Sequence, residues 1–196
     1  MKIGFDNEKY IEMQASRIRE RIDQFGGKLY LEFGGKLFDD YHASRVLPGF
    51  EPDTKVRMLK SLADDVEIII AINAEDIENG KRRSDIGITY DEDALRLMDA
   101  FQSLGLYVGS VCITHFTGQP KAEAFQTRLQ HMGIKSYRHY IIEHYPTDIA
   151  HVVSDEGFGK NQFVETSRPL VVVTAPGPGS GKLATCLSQL YHEHKR

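Results

Sequence analysis

Apolar positions recur along this chain with two alternating periods, one helical and one extended, almost from end to end. Ile11, Ala15, Ile18, Ile22 and Phe25 fall three or four residues apart, the spacing of a single helix face, and Gly26-Gly27 stop that run. Residues 29–33 form a first strand, and Pro52 opens a helix carrying Val56, Leu59 and Leu62. The run Val66-Glu67-Ile68-Ile69-Ile70-Ala71-Ile72-Asn73 is nearly all apolar, as a central parallel strand covered on both faces should be. Asp91 is placed to cap a helix with Ala94, Leu97, Met98, Phe101 and Leu104 on one face. Residues 106–114 make the third strand, and a helix over 119–132 ends at Gly133. Residues 137–142 and 170–174 make strands four and five. The least regular stretch, 145–168, is expected as an excursion over one end of the sheet. Beyond Lys182 a last helix carries Leu183, Leu187, Leu190 and Tyr191 at helical spacing, a stripe expected to dock on the sheet. The pattern predicts an α/β fold, doubly wound, with a mostly parallel sheet of about five strands and a P-loop-like strand-turn-helix near the C-terminus.

A chain of 196 residues can form one such domain, over 1–196, with a sizeable core. Its formal charge of −4 leaves no basic excess to neutralise a phosphate backbone, which argues against general nucleic-acid binding. The basic, glycine-containing segment Asn79-Gly80-Lys81-Arg82-Arg83-Ser84-Asp85 is a local exception and suits a charged surface loop. No apolar run approaches membrane-spanning length, and the N-terminus is charged and amphipathic rather than a signal peptide. Cys112 falls in a buried strand and Cys186 in a helix, with no metal or redox spacing, so two free cytosolic thiols and a cytoplasmic location are expected.

The densest chemistry lies where strand five meets the last helix. Val171-Val172-Val173-Thr174 feeds Ala175-Pro176-Gly177-Pro178-Gly179-Ser180-Gly181-Lys182, a glycine-rich loop followed by a helix start. Backbone amides of such a loop, together with the helix N-terminus, form an anion cradle. Gly177, Gly179 and Gly181 permit sharp turns and close approach of the backbone to a phosphate, Ser180 lies within the cradle, and Lys182 can reach the outer oxygens. The P-loop pattern would require glycine at 176 and a hydroxyl residue at 183, where this chain has Pro176 and Leu183. Leu183 removes the hydroxyl that normally ligates magnesium. Thr185 lies two residues further on, about 200° around the helix, and is a poor substitute. A tight turn whose glycines serve packing alone would explain the same letters.

Ligands of open α/β sheets bind beyond the carboxyl ends of the strands. Those ends carry Gly34-Gly35-Lys36 after strand one, Asn73 after strand two, Thr114-His115 after strand three and Glu143-His144 after strand four. If all strands are parallel, these groups share one rim with the glycine loop. The cluster Asp39-Asp40-Tyr41-His42-Ala43-Ser44-Arg45 adds His42 and Arg45 as groups able to face a substrate anion, although a solvent-facing helical turn ended by Pro48-Gly49 accounts for it equally. Gly34, Gly35, Lys36, His42, Arg45, Asn73 and His115 are therefore a candidate second anion or substrate site. Other templates fail. There is no H-E-x-x-H, no zinc-ligand spacing among His139, His144 and His151, no G-x-S-x-G elbow and no dinucleotide G-x-G-x-x-G. No metal ligand set is predicted.

Three longer strings carry a resemblance. They are Phe25-Gly26-Gly27-Lys28-Leu29-Tyr30-Leu31-Glu32-Phe33-Gly34-Gly35-Lys36, His42-Ala43-Ser44-Arg45-Val46-Leu47-Pro48-Gly49, and the stretch from Val172 through Gly181-Lys182-Leu183-Ala184-Thr185 to Cys186. On these the chain resembles, from Met1 to Arg196, the bacterial family called domain of unknown function 1846, or uncharacterised protein family 0371. The resemblance implies the N-terminal portion of a longer multidomain protein, a P-loop-like domain, and phosphotransferase activity, without a particular catalytic residue set. It also makes Pro176 and Leu183 ordinary features of this loop.

Two functions follow as expectations. In one, a phosphotransferase-like protein holds a phosphorylated small molecule or nucleotide on the loop, Lys182 stabilises the transferred phosphoryl group, and further domains of the same chain complete the site. In the other, phosphate or nucleotide occupancy regulates assembly without catalysis. The cofactor is open, with magnesium accompanying a nucleotide as the candidate, and a homo-oligomer is compatible with either. The isolated 196-residue chain is expected to be folded and catalytically silent.

Overall fold

The structure, a computed structural model, describes residues 4–33, 38 and 41–196, with the backbone alone for 41–43. Five strands, β1 (Leu29–Glu32), β2 (Val66–Asn73), β3 (Tyr107–Phe116), β4 (Ser136–Tyr140) and β5 (Leu170–Thr174), form one sheet in the order β1-β5-β2-β3-β4. Every pairing is parallel. The helices are α1 (Asn7–Gln24), α2 (Tyr41–Val46), α3 (Thr54–Lys60), α4 (Ala74–Glu78), α5 (Tyr90–Ser103), α6 (Pro120–His131), α7 (Ile149–Val152) and α8 (Lys182–Lys195), with a 3₁₀ turn at Phe158–Lys160.

The alternation within β2 shows why its residues are apolar on both sides. Ile68, Ile70 and Ile72 pack with Ala15, Ile18 and Ile22 of α1, Leu59 of α3, Phe101 of α5 and Leu129 of α6. Ile69 and Ala71 face the other way, against Val171 and Val173 of β5, Cys112 of β3, Val164 and Cys186 of α8. The one ionisable residue of the strand, Glu67, is buried and accepts hydrogen bonds from the Ser167 amide and hydroxyl and the Arg168 amide. These bonds offset the burial of its carboxyl group.

The chain steps from β2 through β3 to β4 with α5 and α6 on the first face. It returns over the second face to insert β5 between β1 and β2. Neighbouring strands β2 and β5 thus send their following segments to opposite faces. Such a switch point opens a crevice at the carboxyl ends of the strands.

Three local expectations are corrected. Thr89, not Asp91, occupies the N-cap of α5, and Asp91 lies in the first turn, where its charge faces the positive helix end. The stretch 145–168 is not confined to one end of the sheet, because Val164 is buried in the second-face core. Nor does the leucine stripe of α8 dock on the sheet. Its buried residues are Thr185, Cys186, Ser188, Gln189 and Tyr191, while Leu183, Leu187 and Leu190 are exposed. The irregular segment explains this inversion. Val164 has no backbone hydrogen bond among the described residues, so the Gln189 amide accepts from Val164 N and donates to Val164 O, and Ser188 Oγ accepts from Asn161 Nδ2. Polar groups are thereby drawn to the inner side of the helix.

Candidate functional site

The loop from β5 to α8 is held by its carbonyls. Asn73 caps α4 by accepting from the Glu75 amide at 2.9 Å, and its Nδ2 donates to Gly179 O at 3.2 Å. Thr114 Oγ1 lies 2.8 Å from Ser180 O, and Thr185 Oγ1 donates to Gly181 O at 3.0 Å. In a trans peptide the C=O and the following N–H point in opposite directions. Fixing the carbonyls of 179, 180 and 181 against the protein therefore turns the amides of Ser180, Gly181 and Lys182 away from it. Gly181, the N-cap of α8, has φ +78°, and no side chain caps the helix. Among the described residues, the amides from 179 through 184 find no protein acceptor. The Ser180 hydroxyl is also buried, with no hydrogen-bond partner among the described residues.

These groups open on a cavity of about 470 Å³. Its polar side consists of residues 179–182, Thr114 and His115 from β3, and Glu32 from the end of β1. Lys182 Nζ lies 3.9 Å from Glu32 Oε1. His115 holds φ 53° and places Nδ1 3.2 Å from Thr114 Oγ1. The apolar and aromatic part of the lining is built from Tyr140, Ile141, Ile142, Tyr145 and Leu183. His139 and Asn161, both buried, line the cavity as well. Asn161 Oδ1 accepts from the Tyr140 amide.

Burial pushes the His139 imidazole down to about 4, and its Nε2 donates to Gln162 O at 3.0 Å. A histidine titrates near 6.5 in the unfolded chain. As pH falls through 6.5 the unfolded state takes up a proton that the folded state refuses until about pH 4. Stability is therefore full above 6.5 and should drain between 6.5 and 4, at most by about 1.4 kcal/mol per pH unit. Urea denaturation across that window should show the fall, and His139→Gln should flatten it. An equal slope in both proteins would refute His139 as the source.

The candidate residues sort as follows. Gly179, Ser180, Gly181 and Lys182 line the cavity together. Gly177 is needed for a different reason, since a Cβ there would overlap the Tyr90 phenol. Thr185 also lines the cavity but is fully buried, with its hydroxyl proton committed to Gly181 O. His115 joins the cavity, Asn73 braces the loop from outside it, and Arg45 is exposed on α2 away from its lining. Gly34, Gly35, Lys36, Asp39, Asp40 and the His42 side chain lie outside the described residues. His144 is exposed and not among the lining residues. Glu32, His139, Asn161 and Tyr145 were not singled out from sequence. Glu32 carried a usable signal, as a carboxylate at the carboxyl end of a predicted strand.

The residues present do not reproduce the magnesium site of a P-loop. Position 183 is an exposed leucine, and the Thr185 hydroxyl is engaged. Among the described residues, no three His, Cys, Asp or Glu side chains converge on a point that could hold a metal ion. Cys112 and Cys186 are buried free thiols, each pushed up to about 12 chiefly by burial. Among the described residues, no helix is long and apolar enough to cross a membrane.

The amino-acid sequence has relatives among known proteins. The family model described as domain of unknown function DUF1846, N-terminal, matches residues 3–196. A UPF0371 protein of Streptococcus sanguinis (strain SK36) is 62% identical over 192 residues, covering 98% of this chain and 39% of that protein. A UPF0371 protein of Streptococcus pyogenes serotype M5 is 60% identical over 191 residues, covering 97% of this chain and again 39% of the relative. The chain thus spans about two fifths of the length of the curated relatives it matches.

Proposed function

The chain belongs to the DUF1846 family, and we propose from the geometry of its cavity that it binds a phosphorylated small molecule or nucleotide at the start of α8. In this reading it is the phosphate-holding part of a phosphotransferase-type cytoplasmic protein. The observation that carries the proposal is the buried Ser180 hydroxyl, without a partner among the described residues, beside amides turned outward by Asn73, Thr114 and Thr185. A helix N-terminus carries roughly half a positive charge, so an anionic oxygen is the natural partner for both the amides and the hydroxyl. Lys182 adds a full charge at the first helical position. The apolar wall of Tyr140, Ile141 and Tyr145 suits the organic part of a phosphate ester. Were phosphoryl transfer to occur here, Lys182 and the amides would stabilise the charge of the transferred group. Among the described residues Glu32 is the one carboxylate lining the cavity, and it becomes the candidate base.

A second reading, a regulatory module that binds without chemistry, is favoured by Leu183. The position that ligates magnesium in a P-loop enzyme is here an exposed leucine. Release of phosphate from labelled ATP by a whole family protein would separate the two readings, with the isolated 196-residue chain expected to be silent.

Calorimetry tests the site itself. The chain should bind inorganic phosphate or ATP, and Lys182→Ala should weaken that binding at least about tenfold, because a charge-assisted hydrogen bond contributes roughly 1.5–3 kcal/mol. Ser180→Ala should weaken it by about fivefold, on a neutral hydrogen bond of about 1 kcal/mol. Both variants should keep the wild-type circular dichroism. Unchanged affinity in both would sink the anion-site reading.

A further inference from the structure

The exposed face of α8 is the inverse of what a domain's last helix ordinarily shows. Leu183, Leu187 and Leu190 lie at i, i+4 and i+7, so they share one side of the helix. They are 52%, 37% and 51% exposed. The opposite side is occupied by Thr185, Ser188 and Gln189, whose polar groups are buried against β3 and the 161–164 segment. The leucine row therefore plays no part in covering this sheet. A contiguous apolar row of this kind marks a surface that packs against something else.

The length of the relatives supplies the occupant. The matched unit is the N-terminal one of its family, and it accounts for 39% of the relatives' length. About three fifths of those relatives lies outside the matched region, and the N-terminal description of the matched family model puts that remainder beyond the region corresponding to α8. A segment joined covalently to the helix meets the stripe at high effective concentration, an advantage no separate molecule shares. We infer that the Leu183–Leu187–Leu190 face of α8 is the seat of the C-terminal portion of the longer family chain. Leu183 also lines the cavity, and Ile141, 55% exposed, lines it as well. The docked portion would consequently stand at the cavity mouth and help wall it off. The inference rests on the stripe and the relatives' length, independently of which ligand the cavity takes.

Hydroxyl-radical footprinting tests it on proteins as they exist. In the isolated 196-residue chain the three leucines should oxidise at the rate of freely exposed leucine. In the whole Streptococcus sanguinis relative, the corresponding helix positions should oxidise at least about fivefold more slowly. Equal rates in the two proteins would overturn the inference. So would a stable dimer of the isolated chain, seen by sedimentation at micromolar concentration, in which the leucines are protected, since a second copy would then be the occupant. Leu187→Ser and Leu190→Ser together should leave the melting temperature of the isolated chain within about 2 °C of wild type. A larger fall would show that the stripe packs within this unit and would count against the proposal.

Discussion

Asp93→Ala is expected to lower the unfolding free energy by about 3–5 kcal/mol, the range for breaking a buried charged pair by removing one partner. Asp93 is completely buried in the first turn of α5. Its Oδ2 accepts from Arg83 Nη1 at 2.9 Å and its Oδ1 from Arg96 Nε at 2.7 Å. Arg83 also donates to both carboxylate oxygens of Asp85, at 3.0 and 2.6 Å. These carboxylates hold the Arg83 guanidinium firmly in its charged form. Removing Asp93 leaves that largely buried cation short of a partner. With total stabilities of about 5–15 kcal/mol, such a loss is a large fraction of the whole. Urea denaturation at neutral pH is the measurement. Adding Arg83→Ala to Asp93→Ala should cost less than the two single losses together, because the pair acts as a unit. A loss below about 1 kcal/mol for Asp93→Ala would show that the network contributes little. The network also matters to the site. Tyr90, the first residue of α5, fills the space that a side chain at 177 would need. A loosened α5 start should therefore also weaken anion binding.

What the sequence carried was most of the periodic strand and helix pattern. The apolar run 66–73 coincides with β2, residues 170–174 coincide with β5, and the all-parallel pairing places the predicted strand ends on one rim. The order strand, glycines, lysine, helix is likewise local. What escaped was long-range polar pairing. Asn73 and Gly179 are 106 residues apart, and Thr114 and Ser180 are 66 apart, so nothing in either neighbourhood announces their meeting. Asn73 as a helix cap was legible, yet its second bond, which orients the loop, was not. The α8 face was misjudged because leucine spacing reports which residues share a side, not which side meets the sheet. That choice was made by Gln189 and Ser188, which satisfy an irregular backbone segment with no periodic signal of its own. Two further lining residues, Tyr145 and Asn161, were missed for a related reason, since they come from that same aperiodic stretch.

Two glycines of the loop offer the sharpest dissection of the site. Gly179 and Gly181 both have positive φ, +73° and +78°, so alanine is strained by the backbone at either position, at about 1–2 kcal/mol. Their surroundings differ. A Cβ on Gly179 meets nothing within 4 Å, whereas one on Gly181 lies 3.1 Å from three atoms of the Thr114 side chain. Thr114 is buried, and its hydroxyl is the group that holds Ser180 O. To admit the methyl, either Thr114 or the helix start must shift, and crowding of this kind adds about 1–3 kcal/mol. Gly181→Ala should therefore cost about 2–5 kcal/mol in stability and should also weaken phosphate binding at least about tenfold, because the amides of 181 and 182 are re-aimed. Gly179→Ala should show the backbone cost alone, with a smaller effect on affinity. Denaturation and calorimetry on the two variants read the comparison directly. If Gly179→Ala proved as damaging to binding as Gly181→Ala, the bracing by Thr114 would not be what orients the cradle, and backbone strain alone would explain both.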